Sequence, residues 1–270
     1  ARKRTGVGNI YPKYYLKAFY DGMTAEGDTM PISLIRSAWA GSAKYGALVW
    51  SGDIVSTFEC FRRQVQAGLN MAIAGIPWWT TDIGGFHGAR TDDPDFHRLY
   101  IRWFEYGCFC PVMRLHGNRN PQEGYGAEQI GSGSDNEIWS FGDKAYEISK
   151  KYIFLRERLR DYIRTQMKKA HEDGTPMMRP VFYDFPTDQE SWNVEDAYLF
   201  GPDLYVAPVM EDHVTEREVY LPDGTAWFNA WTGEKYEGGQ NVTVAAPLDT
   251  IPVFVKEGAD AEKLLNIFSE

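Results

Sequence analysis

Four charged or imidazole side chains stand at the ends of short apolar runs in the first half of this sequence. Arg36 closes Ile32-Ser33-Leu34-Ile35, and Asp53 follows Trp50-Ser51-Gly52. Asp82 sits inside Trp78-Trp79-Thr80-Thr81-Asp82-Ile83-Gly84-Gly85-Phe86, and His116 follows Met113-Arg114-Leu115. Each is accompanied by glycine or an aromatic residue. Carboxylates accept hydrogen bonds from hydroxyls, arginine and histidine donate them, and indole and phenyl faces pack on the apolar faces of sugar rings. A carboxylate beside tryptophan, repeated at several strand ends, is chemistry suited to holding and cleaving a sugar.

The elements that must position these groups follow from the periodicity. Residues 13–25 read as a helix with Tyr15, Leu16, Phe19 and Met23 on one face. Residues 32–36 and 46–50 read as buried strands. A helix over about Thr57 to Leu69 places Phe58, Phe61, Val65 and Leu69 at helical spacing. Residues 72–76 run on into Trp78 and Trp79 as a further strand. Asp93-Pro94 is a helix start, a capping residue followed by proline in the first turn. The helix it opens turns Phe96, Leu99, Trp103 and Phe104 inward. Cys110 to Leu115 reads as a strand ending at His116. Short strands apolar on both faces, separated by helices, indicate a parallel α/β sheet, and in barrels of that kind catalytic residues gather at the C-terminal strand ends.

A polar loop spans 118–143, a helical stretch runs from Lys144 to Glu172, and Asp173-Gly174 closes it. Beyond it the character changes to strands alone: 177–185, 197–210, 218–221, 226–231, 242–245 and 251–255, with turns at Pro222-Asp223-Gly224 and Thr232-Gly233. The domain boundary falls near residue 174, giving domains at 1–173 and 174–270. No internal repeat is visible.

Composition excludes several classes. The chain has 270 residues, 43% apolar, 24% charged and 15% aromatic, with net charge −10. An acidic chain without a Lys/Arg cluster is a poor partner for nucleic acid. No apolar run reaches the ~20 residues of a membrane helix. Cys60, Cys108 and Cys110 read as buried free thiols, neither a disulfide framework nor a metal site. Asp92, Asp93 and Asp95 belong to the helix start and lack calcium-loop spacing, and Gly84-Gly85 does not fit a dinucleotide loop. No metal or cofactor is expected. Asn241-Val242-Thr243 fits a glycosylation triplet. No signal segment is visible at Ala1-Arg2-Lys3-Arg4, so a cytoplasmic location is expected.

Taken in order, Arg36-Ser37 with Trp39-Ala40-Gly41-Ser42, Trp50-Ser51-Gly52-Asp53, Trp79-Thr80-Thr81-Asp82-Ile83-Gly84-Gly85-Phe86 and Met113-Arg114-Leu115-His116-Gly117 resemble glycoside hydrolase family 31. Gly174-Thr175-Pro176-Met177-Met178-Arg179-Pro180 and Phe200-Gly201-Pro202-Asp203-Leu204-Tyr205-Val206-Ala207-Pro208-Val209 fit that family's passage from barrel into β domain. The resemblance implies the C-terminal half of a (β/α)8 TIM barrel, strands five to eight, followed by a β-sandwich-like domain. It implies a retaining α-glycosidase without a cofactor, acting on oligosaccharides or α-glycosides, with terminal xylose slightly preferred over glucose. Asp53 corresponds to the general acid/base. Arg36, Trp50, Asp82, Phe86 and His116 correspond to residues lining the sugar subsite, with Trp79 as a neighbour. The family's nucleophile lies on a preceding strand for which residues 1–31 offer no motif, so this chain is expected to begin after it and to be inactive alone. Its partners would be the remainder of a parent chain or further copies of itself. The competing reading is a non-catalytic carbohydrate-binding or assembly fragment. Taken singly, Asp53 also fits a helix cap, Asp82 an Asx-turn, Arg36 an ion pair, His116 a structural role and the two tryptophans plain core.

Overall fold

The structure is a computed structural model and describes residues 7–121 and 133–269. The polar loop of 118–143 is therefore described only in part. Helix α1 (Tyr11–Ala25) leads into β1 (Ser33–Ile35), β2 (Ala47–Trp50), α2 (Phe58–Ile73), β3 (Trp79–Thr80) and α3 (Pro94–Cys108). The three strands form one parallel sheet in chain order, with Ser33 opposite Ala47, Val49 opposite Trp79 and Trp50 opposite Thr80. Among the described residues the sheet does not close into a barrel.

Local chemistry accounts for the helix starts. Thr57 accepts a hydrogen bond from the Cys60 amide to cap α2, and Asp93 accepts from Asp95 to cap α3, where Pro94 has no amide to leave unpaired. The caps place apolar stripes against the sheet. Phe61, Val65 and Leu69 of α2 and Phe96, Leu99, Trp103 and Phe104 of α3 are buried in one cluster with Val49 and Trp79. Gly68 of α2 lies where a Cβ would stand 2.7 Å from the Trp79 indole nitrogen, so the helix can approach β3 only with glycine there.

Several sequence expectations need correction. The run 72–76 is not the start of a strand: α2 continues to Ile73, and a turn at Ala74-Gly75 follows. Residues 110–115 form no regular strand. They keep two bonds of a parallel ladder beside β3, Val112 N to Trp79 O (3.2 Å) and Ile83 N to Arg114 O (3.3 Å). Proline at 111 and the wide turn at Gly84-Gly85 interrupt the rest. The stretch 32–36 is not buried: β1 is an edge strand, with Ile32 and Leu34 about half exposed. On α1, Leu16 is buried, whereas Tyr15, Phe19 and Met23 face outward. Cys108 and Cys110 are buried free thiols, and Cys60 is half-buried.

The helical stretch after the loop is two helices, α4 (Gly142–Arg158) and α5 (Arg160–Glu172), meeting at Leu159. Beyond Gly174, β4 (Met178–Arg179), β5 (Tyr198–Phe200), β6 (Leu204–Val206), β7 (Glu216–Leu221), β8 (Ala226–Asn229), β9 (Lys235–Glu237), β10 (Gln240–Ala245) and β11 (Val253–Lys256) follow. Six of them form an antiparallel sheet in the order β4-β5-β6-β11-β8-β9. The β7–β10 pair is a separate ribbon. Val219, Leu221 and Val244 of the ribbon pack with Leu199, Tyr205, Trp227 and Phe254 of the sheet, which is the two-layer arrangement of a sandwich. The expected strand 177–185 shortens to β4, since Pro180 lacks the amide a ladder requires and a 3-10 turn takes over at Val181. This half is not all β: α6 (Ala261–Ser269) buries Leu264 and Phe268.

The two halves are joined through α3. Arg102 donates to the carbonyls of Val214, Ala246, Pro247 and Thr250. Its own neighbour Glu105, with no exposed side-chain surface, lies 3.2 Å from the guanidinium and accepts from the Tyr152 hydroxyl. Burial outweighs both contacts and pushes Glu105 up to about 8 from an ordinary 4.5. The folded chain thus keeps a proton on Glu105 that the unfolded chain releases above about pH 4.5. The stability this group contributes is complete below that pH and is lost as pH rises toward 8. Urea unfolding of the wild type is expected to show a declining midpoint across that window, with a slope of up to about 1.4 kcal/mol per pH unit from this group. Glu105→Gln should flatten the decline, and an unchanged profile in the variant would contradict the assignment.

Candidate active site

All strands of the first sheet are parallel, so the residues that follow them emerge at one edge. Arg36 comes directly after β1, Asp53 three residues after β2, Asp82 two residues after β3, and His116 after the irregular run beside β3. The structure brings these groups together. The Arg36 guanidinium lies 3.7 Å from Asp53 Oδ2, with both side chains largely open to solvent. The Phe86 and His116 rings stand 5.4 Å apart at 36°. Asp82 pairs with Arg114 through Oδ1, and the charges of His116 and Asp53 also reach it. Asp53 is not a helix cap, a role Thr57 fills four residues later.

The two tryptophans separate. Side chains alternate across a strand, and Val49 and Trp79, paired in register, both join the core beneath the helices. Trp50 and Thr80, the next pair, therefore face the opposite side, and Trp50 is half-buried there. Trp79 is buried against α2 and does not join the group formed by Arg36, Asp53, Asp82, Phe86 and His116. A strand buried on both faces shows no polar alternation from which the sequence could tell its sides.

Backbone bonds hold the strand-end loops to one another. Phe86 N and His87 N both donate to Ile54 O, Ser56 N donates to His87 O, and Asn118 N donates to Phe86 O. Gly85, at φ +77°, presses on the Ser56 backbone, where a Cβ would come within 2.7 Å. Arg119, without exposed surface, completes the assembly. It donates to the carbonyls of Ile83 (3.1 Å) and Gly85 (2.8 Å) and to Ser56 Oγ and Asn136 Oδ1, and it lies over the Phe96 ring. Burial lowers its guanidinium to about 10. Asp53, Phe86 and the residues next to His116 are thus fixed relative to one another by the same few bonds.

Arg114 and Arg119 were not among the residues singled out from sequence. Arg114 carried a usable signal, since it stands two residues before His116 in an extended run and so shares its side. Arg119 carried none: it follows Gly117-Asn118 in an irregular segment, and only the folded loops show what it holds.

Electrostatically the site is centred on Asp82. Its side chain has no exposed surface, and desolvation raises it above the usual carboxylate range against the opposing charge of Arg114 and then of His116. Asp82 Oδ2, Arg114 Nε and Thr80 Oγ1 are buried polar atoms without a hydrogen-bond partner. Unpaired acceptors, donors and hydroxyls are groups that a polyhydroxylated ligand can satisfy. Among the described residues, no group of three or more His, Cys, Asp or Glu side chains could hold a metal ion, and no helix is long and apolar enough to cross a membrane.

Comparison with known proteins points the same way. The family model for the glycosyl hydrolases family 31 TIM-barrel domain matches residues 2–166, and that for the glycosyl hydrolase family 31 C-terminal domain matches residues 174–259. An α-xylosidase of Saccharolobus solfataricus is 38% identical over 251 residues, covering 93% of this chain and 32% of the relative. α-Glucosidase 2 of Bacillus thermoamyloliquefaciens is 34% identical over 93% of this chain and 30% of its own length. The crystal structure of a family 31 α-xylosidase from a soil metagenome, complexed with xylose, superposes with a TM-score of 0.93 at 54% identity, over 96% of this chain and 39% of that one. The chain spans about a third of the length of these relatives.

Proposed function

The chain belongs to glycoside hydrolase family 31, and on that premise we propose that it carries the acid/base side of a retaining α-glycosidase active site, with Asp53 as the general acid/base. The observation that carries this reading is the position of Asp53: at a parallel strand end, open to solvent, with Arg36 3.7 Å away and tied through Ile54 to the loop bearing Asp82 and Phe86. An acid/base must reach both the leaving-group oxygen and, later, a water molecule. An exposed carboxyl on a fixed loop suits that task.

In this reading Asp53 protonates the departing oxygen while a second carboxylate attacks the anomeric carbon, and Asp53 then removes a proton from the water that releases the sugar. Retention needs the two carboxyls about 5–5.5 Å apart. Asp82 is enclosed and held by Arg114, which suits an acceptor of a sugar hydroxyl more than an attacking group. The nucleophile would come from a strand outside this chain. Arg36 and His116 would donate to hydroxyls of the same sugar, with Phe86 and Trp50 packing against its ring. No cofactor enters the scheme.

The substrate we favour is a terminal α-linked xylose, with α-linked glucose second. The support is the naming of the relatives and the likeness to a xylose-bound α-xylosidase. We also propose that the chain divides at residues 1–173 and 174–270, supported by the change there from a parallel to an antiparallel sheet. On α1, Tyr11, Tyr14, Tyr15 and Phe19 face solvent, and β1 beside it is a sheet edge. That surface fits the remainder of a relative-length polypeptide, or a second copy of this chain.

Three outcomes are expected. The 270-residue chain alone should release no p-nitrophenol from aryl α-xylosides or α-glucosides beyond an Asp53→Ala control. Steady turnover would contradict the missing nucleophile, and firm sugar binding without turnover in a protein of the relatives' length would favour the carbohydrate-binding alternative. In a protein of that length, Asp53→Ala should slow poor leaving groups by roughly 10²–10⁴-fold and activated aryl glycosides far less. Azide should yield a glycosyl azide, and equal losses on both substrate types without that product would remove Asp53 from the role. By light scattering the chain alone should run as a dimer or larger, whereas a monodisperse monomer would show that its edge needs no cover.

A further inference from the structure

The site contains one ion pair that the proposed chemistry does not use directly. Asp82 has no exposed side-chain surface, yet a buried carboxylate without compensation becomes protonated or destabilises its surroundings. One of its oxygens is gripped by Arg114, whose side chain is itself mostly enclosed. The other, Oδ2, has no partner. A carboxylate serving only structure would be expected to use both oxygens, since each unpaired buried acceptor costs about 1–3 kcal/mol. Here the unpaired oxygen is itself buried, two residues after Thr80, whose buried hydroxyl is also unpartnered.

We propose that Arg114 is the positioning residue of Asp82: by holding one carboxylate oxygen it keeps the group charged and leaves the second, buried oxygen unpaired, as the acceptor for a ligand hydroxyl. The ligand part of this statement rests on the proposed carbohydrate function, but the charge part does not. The other charged groups that reach Asp82 do not replace Arg114. Asp53 is a like charge, and His116 is exposed. Arg119, which also feels the Asp82 charge, spends its donors on Ile83, Gly85, Ser56 and Asn136. Arg114 therefore supplies the main opposing charge, and its loss should leave burial opposed chiefly by the exposed His116. The carboxyl would then take a proton and turn from acceptor to donor, reversing the hydrogen bond it can offer.

The test needs no sugar. Carboxyl-carbon NMR of the 270-residue chain labelled at aspartate, with Asp82 assigned by its disappearance in Asp82→Asn, reads the charge directly. In the wild type the Asp82 signal should be that of a carboxylate at pH 7. Arg114→Gln, which keeps a donor but removes the charge, should move its titration midpoint up by roughly 1–3 pH units. Arg114→Lys should recover most of the shift, a rescue that a packing role alone would not produce. An Asp82 midpoint that does not move in Arg114→Gln would overturn the proposal. So would an Asp82 already neutral at pH 7 in the wild type, a result that stands even if the glutamine variant does not fold. Absence of sugar binding, by contrast, would count against the carbohydrate reading and leave the charge relation intact.

Discussion

Parallel strands give every following loop the same exit, and in this chain that constraint assembles the site. Arg36, Asp53, Asp82 and His116 are separated by up to 80 residues along the chain, yet all leave the sheet at one edge because β1, β2, β3 and the run beside β3 point the same way. The strands are too short, at two to four residues, to set the distances among these groups by themselves. That task falls to the backbone bonds from Ile54 to Phe86 and His87, and to Arg119, which takes the carbonyls on either side of Gly84. A buried guanidinium with its donors engaged is a rigid connector, and it is the means by which loops without regular structure hold a defined geometry.

A second connection keeps the sheet and the antiparallel half as one body. Arg102 reaches four carbonyls of the later half from α3, Tyr198 donates to Phe109 O, and Tyr162 donates to Phe200 O. The main hydrophobic cluster likewise runs without a break from Val49 to Phe268. The antiparallel half thus backs the helices that support the strand ends, although it contributes none of the residues gathered at the site.

Much of this was legible in the sequence where side-chain pattern and backbone chemistry agreed. Asp93-Pro94 announced α3, and the apolar runs ending at Arg36, Asp53 and Asp82 marked strand ends that the structure does set on one edge. Legibility failed where one signal had two physical meanings. The stripe on α1 reads as one apolar face, yet Phe19 and Met23 lie outward, since periodicity shows that a face is apolar and not what covers it. Trp79 and Trp50 look alike in sequence, and only strand register separates the core residue from the one on the site's side. The helix α6, nine residues long, carried too short a pattern to stand out among strands. Arg119 acts through carbonyls of residues distant in sequence, a contact that leaves no periodic trace.

If these groups form a sugar subsite, the strand-end face must receive the sugar. The most direct measurement is the structure of a protein of the relatives' length, containing this chain, with xylose bound. The ring is expected against Phe86, with hydroxyls within hydrogen-bond distance, about 2.5–3.2 Å, of Asp82 Oδ2 and of the Arg36 or His116 donors, and with Asp53 beside the anomeric oxygen. A sugar seated elsewhere, with these groups still filled only by water, would contradict that role.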